Sequence, residues 1–315
     1  MERWVEIAGL ALSIEVDGPE REHAVEAMFG HCERADERPQ AGIVEVDTLD
    51  VPARRPEMAG REVESWIDDD GVTSQHRSGV TARRRGEHIE VAGRGGVDPD
   101  RSYRLAVQFP LMDLFSLTGR HVIHAAAVEM DGRAVLATGG SGAGKSTFAF
   151  SASRHGGRVI SDDLSIVTTH SGELCVSGFP KPMKVPAEIL GEVPASGTPI
   201  PHDARRRWAL PTSSTVARGQ YPIDAVVWVG HGSGPDRTER LPTEPDRLRE
   251  WMSSNPLCVL PRVMRPFFAV SGQLARLPTF RFDHARDPQE RVAAVGRFLD
   301  RIASGADEPA LDSSQ

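Results

Sequence analysis

Lysine is nearly missing from this 315-residue chain: of its 37 Lys and Arg residues, only Lys145, Lys181 and Lys184 are lysine. Arginine carries the positive charge elsewhere. A retained lysine therefore marks either a place that needs a compact ammonium on a flexible stem or, for the second and third, simple compositional drift. Cysteine is scarce too. Cys32, Cys175 and Cys258 are far apart with no C-x-x-C spacing, which argues against a zinc site and fits a reducing compartment. Excess positive charge is absent: the net charge of −8 argues against a general nucleic-acid binder, which needs a basic face. No apolar run reaches the roughly 18 residues of a membrane span, and Met1–Glu6 shows no basic stretch leading into an apolar one. A cytoplasmic enzyme with no nucleic-acid and no membrane partner is expected, and a homo-oligomer is left open. Hydrophobic residues at 39% and charged residues at 26% are ordinary for a soluble globular protein, and the length suffices for two domains.

What is present is a phosphate-loop pattern. Gly139, Gly140, Ser141, Gly142, Ala143, Gly144, Lys145, Ser146 and Thr147 fit G-x-x-x-x-G-K-[ST]. In such a loop the glycines let successive N–H groups turn inward onto phosphate oxygens. Lysine adds a mobile charge for the β- and γ-phosphates, and the hydroxyl after it ligates Mg²⁺. The surroundings agree: Ala134–Thr138 is an apolar run of strand length, and Thr147–Ala152 suits a helix whose N-terminal dipole attracts anions.

Residues 1–100 read as a separate N-terminal α+β domain, 101–304 as the catalytic domain, and 305–315 as a disordered tail. Trp4–Val16 reads as one bent strand or a hairpin, Glu20–Phe29 as a helix, and Ile43–Val46 and His88–Val91 as strands. Arg83-Arg84-Arg85 reads as a solvated strand edge rather than a docking site for an acidic partner. The glycines and proline of Gly93–Pro99 suggest a linker. Leu105, Phe109, Met112 and Phe115 recur at helical spacing, with Pro110 inside the pattern. Leu164–Phe179 reads as two strands turning at Ser171-Gly172, and Ile223–Val229 as a buried strand. A last helix is expected from Asp287 as N-cap, with Pro288 at its first position and Glu290 as capping-box partner.

Phosphoryl transfer needs an acid near the metal and often a carboxylate at the attacking hydroxyl. Asp162 and Asp163 stand 17 and 18 residues after Lys145, at the end of a candidate strand, Arg158–Asp163. That strand is expected to return beside the phosphate-loop strand and to bring both carboxylates to the γ-phosphate. Neighbours in a strand point opposite ways, so the two acids would do different work; the alternative is a pair of surface acids. His124, on the strand before the loop strand, reads either as a hydrogen-bonded core histidine or as a partner of phosphate or aspartate. In Phe179–Val185, Pro180 and Pro182 stiffen the chain around Lys181 and Lys184, which are candidate substrate contacts, Lys184 the better one. A solvated edge strand is the alternative. Pro194–Pro201 reads as a loop and candidate lid, and Arg205-Arg206-Arg207 as a basic turn or an acidic-peptide site.

His124–Val128, Gly139–Thr147 and Ile160–Asp163 together resemble the catalytic domain of HPr kinase/phosphorylase. They are closer still to the HPr-kinase-related group that includes kinases of lasso-peptide precursors, whose proline-and-basic segment Phe179–Val185 resembles. The resemblance covers about residues 120–190 and extends to about 303. It implies an α/β P-loop kinase core of the HPr kinase / PEP carboxykinase type, ATP and Mg²⁺, and a serine of a peptide or small protein as acceptor. It carries over His124, Lys145, Ser146, Asp162 and Asp163, with Asp163 as base and Asp162, with Ser146, on the metal. The glycine-rich second signature of the bifunctional enzymes is missing, and their metal-binding glutamate has only Glu188 roughly in place. The chain lacks the N-K-x-D of GTPases and the L-S-G-G-Q of ABC-type ATPases. A small-metabolite hydroxyl kinase and a non-catalytic nucleotide-binding module are the alternatives.

Overall fold

The computed structural model describes residues 1–30, 32–93, 96–181, 183–186, 198–199, 207–210, 217–231, 237–241, 245–284 and 288–304. The readings at Glu188, Arg205, Arg206 and Asp287, most of the Pro194–Pro201 loop and the tail from Gly305 lie outside these residues. The chain divides into two compact units. Unit 1 holds Met1–Val122, Phe179–Pro182 and Asn255–Phe267; unit 2 holds Ile123–Gly178, Met183–Ser254 and Phe268–Gln315.

Unit 1 begins with a hairpin, β1 (Glu2–Ile7) and β2 (Leu10–Glu15). Its turn residues Ala8 and Gly9 both have positive φ, 52° and 72°, the twist that a tight hairpin needs. Helix α1 (Pro19–Phe29) follows, then β3 (Glu33–Arg34), β4 (Ala41–Glu45) and β5 (Met58–Ala59). A meander of β6 (Val63–Asp68), β7 (Gly71–His76), β8 (Thr81–Arg85) and β9 (His88–Ala92) completes one sheet, ordered β3-β1-β2-β4-β9-β8-β7-β6-β5. Helix α2 (Pro99–Leu117) lies on β7 and β8 and against α1.

Two expectations change here. The boundary near residue 100 is displaced, because Gly93–Pro99 leads into α2 rather than out of the unit. Asp98 caps α2 by accepting from the Arg101 N–H at 3.0 Å, Pro99 takes its first turn, and the helix buries Tyr103, Val107, Leu111 and Phe115 within unit 1. Arg83-Arg84-Arg85 is not a solvated edge either. Strand β8 pairs on both sides, and Arg84 is buried with its Nε 2.5 Å from Oδ2 of the fully buried Asp113. Arg262 adds a second guanidinium, 3.2 Å from the same oxygen. An acid between two arginines offsets the desolvation that alternation alone did not anticipate.

Strand β10 (His121–Ile123) comes next in the chain and is a member of the second sheet. Unit 2 contains β11 (Ala126–Met130), β12 (Arg133–Thr138), helix α3 (Lys145–Arg154), β13 (Arg158–Ser161), β14 (Ser165–His170) and β15 (Glu173–Gly178). Ser171 and Gly172, at φ 51° and 84°, make the expected turn between the last two. A small sheet is formed by β16 (Met183–Pro186), β17 (Thr198–Pro199) and β18 (Arg207–Leu210). So Thr198–Pro199, inside the expected loop, is a short strand. The buried strand expected at Ile223–Val229 is β19 (Tyr221–His231). After it come β20 (Arg237–Arg240), helix α4 (Pro245–Ser254), helix α5 (Pro261–Leu274, shared between the units), β21 (Thr279–His284) and helix α6 (Pro288–Ala303).

At the centre of unit 2, β12 runs parallel to β19 and antiparallel to β11, and β19 continues parallel to β21. Alternation along β12 sends Val135 and Ala137 into the same core as Phe148 and Ala149 of α3 and Val295, Phe298 and Leu299 of α6. The Phe148 ring meets Phe282 and Phe298 edge-on at 5.6 and 5.9 Å. This packing fixes α3, and with it the loop that joins β12 to α3. The fold is therefore mixed α/β with two many-stranded sheets. Among the described residues no helix is long and apolar enough to cross a membrane.

Candidate functional site

The loop of residues 139–144 leaves the carboxyl end of β12 and enters α3, in the order strand, loop, helix. Some of its glycines answer to identifiable constraints. Gly139 and Gly144 have φ of 142° and 102°, and a Cβ on either would stand 2.5 Å from the Val229 carbonyl oxygen or the His284 ring, respectively. Gly140 has neither a positive φ nor a neighbour within 4 Å of such a Cβ. Gly139→Ala and Gly144→Ala are therefore expected to cost about 1–3 kcal/mol of stability. Gly140→Ala should stay within about 0.5 kcal/mol of wild type. Urea unfolding of the three variants checks this, and equal midpoints would contradict it.

Lys145 is buried, and its Nζ donates to the carbonyls of Gly139 and Gly140 at 2.9 and 3.1 Å. The Ser146 hydroxyl donates to the main-chain carbonyl of Asp162 at 3.1 Å. Ser141 and Gly142 at the loop tip are exposed, and Ala143 and Thr147 are half-buried.

The two acids follow β13, but that strand is not beside β12. It pairs with β11, which lies between them. The connection through α3 skips one position in the sheet, and the returning chain still reaches the loop through the Ser146–Asp162 contact. The acids occupy different environments. Asp162 is buried, and its Oδ2 accepts the main-chain N–H of Lys184 at 3.0 Å. Asp163 is 42% exposed, with Oδ1 2.8 Å from Nε2 of His124, itself 38% exposed. His124 sits at a bend between β10 and β11 rather than on a strand, and its main-chain N–H donates to Ser254 at 3.2 Å. Lys184 lies in β16 between the buried Met183 and Val185, as alternation predicts, and is half-buried. Lys181 falls in unit 1 and is buried. The structure thus brings together the loop, Asp162, Asp163, His124 and the Lys184 main chain, all in unit 2.

Two residues were not found from the sequence. His231 and His284 end the parallel strands β19 and β21, and each contacts a loop carbonyl. Polar residues at the carboxyl ends of parallel strands flanking a glycine-rich loop were the available signal. Burial pushes the His284 imidazole down to about 4, and it does the same to His121 in unit 1, which lies against Phe267. Both stay neutral when folded and take up a proton more readily when unfolded, at an ordinary value near 6.5. Stability is accordingly full above about pH 6.5 and is lost as the pH falls from there toward 4, by up to about 3 kcal/mol per histidine. Urea unfolding at stepped pH should show this slope, and it should flatten in the His121→Phe/His284→Phe double variant. An unchanged slope would contradict the assignment.

No family model matches the chain, and no curated protein does. Among solved structures it is similar to the Hpr(Ser) kinase/phosphatase from Coxiella burnetii, at 16% identity and a TM-score of 0.30, over 59% of this chain and 94% of that one.

Proposed function

We propose that this chain is an ATP-dependent kinase that transfers the γ-phosphoryl group to a serine hydroxyl of a peptide or small protein. The observation that carries the proposal is the convergence of a glycine-bent loop at a helix N-terminus with Lys145, Ser146 and two differently placed acids. The loop amides and the α3 dipole favour the phosphates. Lys145 exchanges its loop carbonyls for phosphate oxygens. Ser146 and Asp162 are all-oxygen donors of the kind Mg²⁺ takes while it keeps several waters, and the Lys184 N–H holds the Asp162 carboxylate in place. The metal would supply neutralisation of phosphate charge.

Asp163 is the residue for the acceptor. It takes the proton from the serine hydroxyl as the Oγ–Pγ bond forms and the bond from Pγ to the β-phosphate oxygen breaks; the electron pair leaves on ADP. The hydrogen bond from His124 orients that carboxylate. ATP as donor and serine as acceptor follow from the resemblance of these motifs to the HPr-kinase-related group. A cytoplasmic setting, and a role for unit 1 in acceptor recognition, belong to the same proposal.

The test is phosphorylation by Mg·ATP of a panel of serine peptides, including the product of any short gene adjacent to this one, with free serine and other small alcohols alongside. Phosphoserine in a peptide supports the proposal. Transfer to small alcohols alone would replace it with a metabolite kinase.

A further inference from the structure

The phosphate-loop motif does not contain all that holds its main chain. His231 and His284 face each other in register at the ends of β19 and β21. The Nε2 of His231 is 2.8 Å from the Gly142 carbonyl oxygen, and the Nε2 of His284 is 3.1 Å from that of Gly144. A carbonyl can only accept, so both nitrogens carry the proton. His284 is 2% exposed and lies edge-on to Phe282 at 5.3 Å. Its Nδ1 is buried with no hydrogen-bond partner among the described residues. An unpaired buried nitrogen is unfavourable, so the ring is not placed there to satisfy itself; the hydrogen bond it makes goes to the loop. The ring also fills the space a Cβ on Gly144 would need. The Gly144 oxygen accepts from the Phe148 N–H as well, at 2.8 Å, so histidine and helix grip one atom. The peptide unit is planar, with C=O and N–H opposed. Fixing the Gly144 carbonyl on His284 therefore fixes the Lys145 N–H in the opposite direction.

We propose that His284, seconded by His231, is a positioning residue for nucleotide phosphates: it holds the loop main chain so that its amides are aimed before the ligand arrives. The inference rests on the nucleotide-binding part of the function proposed above, and its test needs no acceptor. Calorimetry measures Mg·ATP and inorganic pyrophosphate binding to the wild type, His284→Phe, His284→Gln and His231→Phe. Loss of one donor is expected to weaken both ligands by about 5- to 10-fold in His284→Phe and by less in His231→Phe. His284→Gln keeps an N–H donor and should recover part of the loss. A merely structural histidine would lower the unfolding midpoint without this common shift in the two affinities, and without rescue by glutamine. If His284→Phe does not fold, the exposed His231→Phe decides: weakened binding of both ligands supports the inference and wild-type binding overturns it. Wild-type affinity in every folded variant also overturns it. A wild-type protein that binds Mg·ATP but phosphorylates nothing would remove the kinase reading, while the same variant series still judges the loop. A wild type that binds neither ligand overturns both.

Discussion

Lys145→Ala is expected to lower phosphoryl transfer by about 100-fold or more, the usual consequence of removing a preorganised charge donor from a developing anion. Lys145 is the only described lysine at the start of a helix that follows a glycine-bent loop, and its ammonium already rests on the Gly139 and Gly140 carbonyls. Its stem is therefore confined to the loop, so substitution removes a charge held in place. Arginine should not rescue it, because a planar fork does not fit where a point charge turns among phosphate oxygens. Single-turnover kinetics with saturating Mg·ATP checks the rate, and calorimetry checks the binding. Equal Mg·ATP affinity in wild type and variant would contradict the role.

Asp163→Asn is expected to retain Mg·ATP binding and to lose transfer by about 10²- to 10⁴-fold, the range general-base assistance covers. The expectation follows from the asymmetry of the two acids. Asp162 is buried and tied to the Lys184 main chain; Asp163 is open to solvent and paired with His124. The exposed acid can meet an incoming hydroxyl, and the buried one can hold an ion against the loop. Asp162→Asn should accordingly raise the Mg²⁺ concentration needed for half-maximal binding. An Asp163→Asn protein that transfers phosphate at the wild-type rate would remove the base assignment.

The loop was legible because its chemistry is local. Glycine spacing, the lysine and the flanking apolar runs lie within a few residues of one another, and the structure places strand, loop and helix in that order. The Ser171-Gly172 hairpin and β19 were legible for the same reason. What alternation cannot report is which strands become neighbours. Inserting β11 between β12 and β13 changes no local pattern, since both partners of β11 are apolar. The Arg83–Arg85 run was misjudged because the acid that buries Arg84 is Asp113, on a helix 29 residues later. The boundary near residue 100 was misplaced because glycine and proline mark a helix start as readily as a linker. His231 and His284 contact loop carbonyls, and residue type without the strand pairing carries no signature of such a contact.

The most direct measurement is mass spectrometry of serine peptides incubated with Mg·ATP and the wild-type, Lys145→Ala or Asp163→Asn protein. The account predicts phosphoserine with the wild type and almost none with either variant, with Mg·ATP still bound by Asp163→Asn. A wild-type protein that binds Mg·ATP and phosphorylates neither a peptide nor a small hydroxyl acceptor would contradict it.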